Sequence, residues 1–172
     1  METLTLRPWS EGDLPLLRAA NTAAMTAHLN GPESERQVLG RHQRYLGLDD
    51  RTARMFVVIA DRVRPVGAIG YWTVEWRDEP AFETGWFVVP AAQGKGVASR
   101  ALALLIDDAR AHPAGLRHLV AFPAVENAAS NGVCRRAGFE RASSLAGEFR
   151  GSELTMNVWE LDLHPHRARL ES

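Results

Sequence analysis

The stretch "VVPAAQGKGVASRALALLIDDARAH", residues 88–112, decides how this chain folds. An apolar, strand-like run ends at Pro90. Gly94 and Gly96 then flank Lys95, the only lysine in the chain. Beyond them Ala98, Ala101, Leu102, Leu105, Ile106 and Ala109 fall three and four residues on from one another along one face, the spacing of an amphipathic helix. Residues 119–122 (LVAF) read as strand again. Strand, loop, helix, strand is a parallel crossover unit.

The segments on either side read as antiparallel. Residues 3–7 (TLTLR) alternate as a short strand. A helix is expected over 13–29, with Asp13 as its cap and Pro15 in its first turn, ended by Asn30-Gly31-Pro32. A second helix is expected over 34–46. Residues 55–60 (MFVVIA), 66–76 and 82–89 read as three strands. After the crossover, 127–137 reads as a short helix, with Asn127 as cap and Gly138 as left-handed terminator. Residues 139–145 and 153–163 read as a closing hairpin. The expected class is α/β (α+β), a mixed, mostly antiparallel sheet of six to seven strands around a central parallel pair, with helices on both faces. One domain is expected over 1–165, and a flexible tail over 166–172.

Composition excludes several classes. The 172 residues carry a formal net charge of −1, which gives no global attraction to nucleic acid or anionic membrane. No apolar run approaches the ~20 residues of a membrane helix. The start lacks a secretory pattern, and the single cysteine, Cys134, fits a reducing compartment. The expected location is the cytoplasm. The six histidines include no pair with metal spacing to a cysteine or acidic cluster, so no metal site is expected. His28 and His42 read as surface residues of helices. Trp72, Trp76 and Trp86 read as core or pocket wall, since no basic stripe accompanies them.

The glycine loop joins a strand end to a helix start, where unpaired amides and the helix dipole favour anions. Glycines permit positive φ and close approach of a phosphate. A P-loop needs Gly-x4-Gly-Lys-Ser/Thr, but Val89 and Gly96 occupy two of its required positions. The dinucleotide fingerprint is imitated only by Ser99 and belongs near the first strand of a doubly wound sheet.

Gln93-Gly94-Lys95-Gly96-Val97-Ala98 resembles the Gln/Arg-x-x-Gly-x-Gly/Ala signature of the GNAT acyl-CoA N-acetyltransferase superfamily. FETGWFVVP before it resembles that family's central strand. VENAASNGVCRRAGFE after it resembles the second acyl-CoA element, with Asn127, Ser130, Asn131, Val133, Gly138 and Phe139 on the pattern. MTAHLNGPESERQVL resembles the branch related to ribosomal-protein alanine acetyltransferases. The resemblance implies acetyl-CoA as co-substrate, with its pyrophosphate on the amides of Gln93, Gly94, Lys95, Gly96, Val97 and Ala98. It implies a pantetheine arm along Phe87, Val88 and Val89, in a gap where the parallel strands splay. Asn127, Ser130 and Asn131 would line the other side, and a homodimer is common in the branch.

Acetyl transfer to an amine needs a proton acceptor, donors to the oxyanion and a proton for the leaving thiolate. Glu83 is the leading base, because it alternates with Gly85, Phe87 and Val89 on an otherwise apolar strand. Glu75 is the rival. Cys134 stands where many family members have tyrosine, and Ser130 is the other candidate acid; water is a third source of the proton. The expected function is N-acetyl transfer to a primary amine, a small molecule or a protein N-terminus. The alternatives are a non-catalytic acyl-CoA-binding module and a nucleotide-binding protein.

Overall fold

The computed structural model describes residues 3–149 and 152–165; the tail expected at 166–172 lies outside them. The elements run β1 (Leu4–Pro8), α1 (Leu14–Ala20), α2 (Glu35–Leu46), β2 (Ala53–Ala60), β3 (Arg64–Trp76), β4 (Glu79–Val88), α3 (Val97–Ala111), β5 (His118–Ala121), α4 (Ala128–Arg136), β6 (Glu140–Phe149) and β7 (Ser152–Asp162). The strands form a seven-stranded sheet in the order β1-β2-β3-β4-β5-β7-β6. Every neighbouring pair is antiparallel except β4 and β5.

Apolar residues leave both faces of the sheet, so each face carries a core. On one, Leu16 and Leu17 of α1 and Val38 of α2 pack on Val57, Ile59 and Ala68. On the other, Leu102 and Leu105 of α3 and Val133 and Cys134 of α4 pack on Ile69, Phe82, Leu119 and Trp159. Burial of such side chains contributes roughly 1.5–3 kcal/mol each. The centre of the sheet is drawn together by glycines of β3. A Cβ on Gly67 would collide with the Phe87 carbonyl oxygen, and one on Gly70 would lie 2.5 Å from the Arg54 carbonyl oxygen.

Three local expectations are corrected. The helix expected over 13–29 ends at Ala20. Asn21 leaves helical geometry because its side chain brackets Glu33, donating to the Glu33 carbonyl (2.7 Å) and accepting the Glu33 amide (2.8 Å). Asparagine competes with the helix for backbone partners in this way. Beyond Asn21 the chain runs through turns, one of them closed by Thr26 N donating to Thr22 O at 3.0 Å. Asp13 is not a cap. It accepts the Ser10 amide (2.7 Å) and pairs with Arg7 (2.6 Å), in a capping box opened by Ser10. His42 is not a surface residue; it is buried, and its Nδ1 accepts from Trp9 Nε1 at 3.1 Å.

Candidate active site

The parallel strands part almost as soon as they meet. β4 and β5 pair only at Phe82 with Leu119 and Glu83 with Val120. β4 continues to Val88, held on its other side by β3 through Gly67–Val88 and Ala68–Phe87. Val89 N donates to Val66 O at 2.9 Å. Strand alternation therefore turns the peptide groups of Phe87 toward β3, and those of Trp86 and Val88 toward the opening. The sequence alone presents Phe87–Val89 as one run and does not single out Trp86, because pairing partners set this parity. In the structure Gln93 Nε2 donates to the Val88 carbonyl, 2.8 Å.

At the far end of β4 the chain makes one tight turn over Pro90–Ala92. Gly94 and Gly96 take φ of 71° and 73°, and α3 begins at Val97 with no side chain capping it. A Cβ on either glycine would meet nothing within 4 Å, so backbone conformation, not crowding, favours glycine there. Lys95 Nζ donates to the Ala91 carbonyl (2.9 Å). Gln93 Nε2 also lies 3.1 Å from Met25 Sδ, which joins the loop after α1 to this turn.

Across the opening stands α4. Asn127 caps it, accepting the Ser130 amide at 3.0 Å. Asn131 is buried and fully engaged: it donates to Ala124 O and Asn127 O, and accepts from Asn157 Nδ2 and Trp159 Nε1, all at 2.8–2.9 Å. It ties the chain leaving β5 to β7 and keeps no polar atom for a ligand. Ser130 is half-buried, and its hydroxyl has no partner among the described residues. Cys134 is wholly buried within the α3–α4 core, and burial pushes its thiol up to about 12.

Glu83 sits on β4 where the strands part. Its register partners, Trp72 on β3 and Val120 on β5, share its face of the sheet. Burial raises its carboxyl above the usual range; a hydrogen bond from Trp72 opposes that shift in part. The rival Glu75 is exposed and alternates onto the opposite face from Trp72, Val74 and Trp76. Tyr71 likewise points away from Glu83. Its hydroxyl donates to Asp108 of α3 at 2.6 Å, so Trp72, not Tyr71, is the β3 side chain beside the carboxylate.

Residues 3–140 match the family model described as Acetyltransferase (GNAT) domain. This chain belongs to the GNAT acetyltransferase family. Among solved structures it is similar to spermidine N-acetyltransferase from Vibrio cholerae in complex with CoA and spermine (21% identity, 93% of this chain and 95% of that one, TM-score 0.76). It is also similar to the Salmonella typhimurium acetyltransferase that modifies the N-terminal serine of ribosomal protein L7/L12 (23%, 93% and 95%, 0.74). A third is yncA of Salmonella typhimurium with its cofactor acetyl-CoA (24%, 95% and 95%, 0.69). At these identities the likeness is one of fold. No curated protein matches the sequence.

The GNAT fold accounts for the layout of the site. The glycine loop and Glu83 lie at opposite ends of one stretch of β4, about 17 Å from Glu83 to Val88 at the usual strand rise. Among the described residues, no group of three or more His, Cys, Asp or Glu could hold a metal. No described helix is long and apolar enough to cross a membrane.

Proposed function

We propose that this protein transfers an acetyl group from acetyl-CoA to a primary amine by direct attack in a ternary complex. The observation that carries the reading is the opening between β4 and β5, with an uncapped, glycine-turned helix start at one end and a desolvated carboxylate at the other. The amides of residues 93–98 hold the pyrophosphate. Trp86 and Val88 offer peptide groups to the extended pantetheine arm, much as a sheet edge takes an added strand.

Glu83 takes the proton from the acceptor ammonium. The amine nitrogen then attacks the thioester carbon, a C–N bond forms, and the C–S bond breaks to release the CoA thiolate. Gap-facing amides of β4 stabilise the oxyanion. The nitrogen of the tetrahedral adduct gives up its second proton, and Ser130 or water passes a proton to the thiolate, which leaves as the thiol. Cys134 is assigned to core packing, since a wholly buried thiol neither reaches the opening nor gives up its proton readily. Asn127 and Asn131 shape the wall of the site.

The spermidine and the N-terminal serine named for the structural neighbours make an amine the acceptor class. The buried free cysteine supports a cytoplasmic location. The outer edge of β6, with Leu145 exposed beside it, supports a homodimer.

The test is thiol release from acetyl-CoA over a panel of primary amines. Glu83→Gln is expected to lower turnover by roughly 10²–10⁴ while acetyl-CoA affinity holds, because a positioned base is lost and the loop is untouched. Tight CoA binding by the parent with no release on any amine contradicts the reading.

A further inference from the structure

The opening begins just past Glu83, because β5 pairs with β4 no farther than Glu83 with Val120. Gly85 is the first residue beyond that point on the Glu83 face of β4. The half-buried ring of Trp72 lies over it. A Cβ on Gly85 would stand 3.1 Å from Trp72 Cη2 and 3.8 Å from Cζ3. The ring therefore leans along β4, from its register partner Glu83 toward Gly85 and the apolar cluster it joins with Phe87 and Val89. Any side chain at position 85 would compete with the ring for this place. Directly opposed residues on antiparallel strands hold their Cβ atoms about 5 Å apart. From that position the Trp72 indole N–H donates to the Glu83 carboxylate. An indole nitrogen can only donate, so the bond favours the ionised carboxylate and works against burial.

Other charges stand farther off or are paired. Glu79 shares the Glu83 face of β4, but it is exposed and four residues away, about 13 Å along the strand. Glu75 and Asp78 of the same hairpin tip are exposed, Glu75 on the opposite face. Across the sheet Val120 separates Glu83 from Glu160 of β7. Glu160 takes Arg77 Nη1 at 3.0 Å, and its Oε1 lies 2.9 Å from His118 Nδ1. On the α1–α2 side, Asp13, Glu35 and Glu33 pair with Arg7, Arg18 and Arg41, and His42 accepts from Trp9. Burial and the Trp72 hydrogen bond are the two influences on the Glu83 carboxyl.

We propose that Trp72 is a positioning residue: its ring, seated over Gly85, aims the indole N–H so that the Glu83 carboxylate is fixed at the start of the opening in the form that accepts the amine's proton. Trp72 acts through Glu83. The proposal rests on the acetyltransferase function proposed for this site, with Glu83 as the base.

Two readouts test it. The first is the carbon-13 carboxyl titration of Glu83, assigned by the signal that Glu83→Gln removes; it needs no turnover. Trp72→Phe keeps an aromatic body and removes the donor, so the Glu83 midpoint should move to higher pH. The second is the pH profile of kcat/KM for thiol release from acetyl-CoA with ethylamine, phenethylamine and spermidine. The ionisation of each amine is common to parent and variant, so a displaced acid limb belongs to the enzyme. Trp72→Phe should lose at least about tenfold on that limb, the size of a hydrogen bond to a charged group, and come within about twofold of the parent on the plateau. In the Glu83→Gln background the same substitution should change the rate by less than about twofold. If Trp72→Phe does not fold, Gly85→Val displaces the ring and the same readouts are taken from it. A Glu83 midpoint that stays put in the folded variant overturns the proposal. So does a rate loss equal at every pH, or one undiminished in the Glu83→Gln background. No thiol release with any amine takes down the acetyltransferase reading, and the base role with it, while the midpoint still reads the Trp72 contact.

Discussion

Glu83 was legible in the sequence as one acidic residue in an apolar alternation, but its surroundings were not. Register with Trp72 and Val120 depends on which strands pair, and no local pattern states that. The structure adds an energetic consequence. Burial raises the Glu83 pKa in the folded protein, so the native state binds its proton more tightly than the unfolded chain. Stability linked to this group is fully present below the unfolded carboxyl pKa and is lost as pH rises through the raised folded value. Glu83→Gln should therefore melt higher than the parent at pH 8, with the difference shrinking toward pH 4; thermal melts across that range check this. A parent that gains stability relative to the variant as pH rises would show that Glu83 is held as a paired carboxylate. Cys134 raises the opposite question. It looked available as an acid because it replaces an expected tyrosine, yet the core closes around it. Cys134→Ala should lose about 1 kcal/mol or more of stability, measured by urea unfolding, because a buried sulfur leaves a cavity. Its turnover should stay near that of the parent, and a hundredfold loss would restore the catalytic assignment.

The sequence marked all seven strands, α2, α3 and α4; most carry an apolar face that must find a core, whereas β6 lies exposed at the edge of the sheet. That reading overran α1, because the Asn21–Glu33 bracket joins positions twelve apart and outweighs local helix preference. The same gap in reach hid the role of Asn131. Its spacing fits a cofactor motif, but Asn157 and Trp159 come from a strand far along the chain. The glycine loop was readable, since Gly94 and Gly96 adopt the left-handed conformation that their type suggests. Gly96→Glu carries both a strained φ and a negative charge to a site proposed for pyrophosphate. Acetyl-CoA affinity should fall at least about tenfold by calorimetry. Unchanged affinity in a folded variant would move the cofactor elsewhere.

At the scale of the molecule, the mixed sheet with helices on both faces follows from one crossover unit set among hairpins, which is why residues 88–112 carried so much of the fold. The two faces then divide the work. The α3–α4 face is core, reinforced where Tyr71 and Arg54 meet Asp108. The other face is covered by α1 and α2 over part of its width and by the β3–β4 tip farther along, with Glu83 on that face. Sequence could not divide the faces this way, since the hairpin tip is pinned by an ion pair with β7. The proposed homodimer belongs to the same scale, and light scattering across micromolar concentrations should give twice the 19.0 kDa chain mass. A monomer mass throughout would remove it.

In the proposed reaction the opening beside β4 receives acetyl-CoA and presents its thioester to an amine at Glu83. A crystal structure with CoA and a soaked primary amine tests it most directly. Pyrophosphate density is expected over the amides of residues 93–98, with an extended arm between β4 and β5 beside Trp86 and Val88, and the amine within hydrogen-bond reach of the Glu83 carboxylate. CoA bound outside this opening, or an amine held away from Glu83 with the thiol pointing elsewhere, would contradict it.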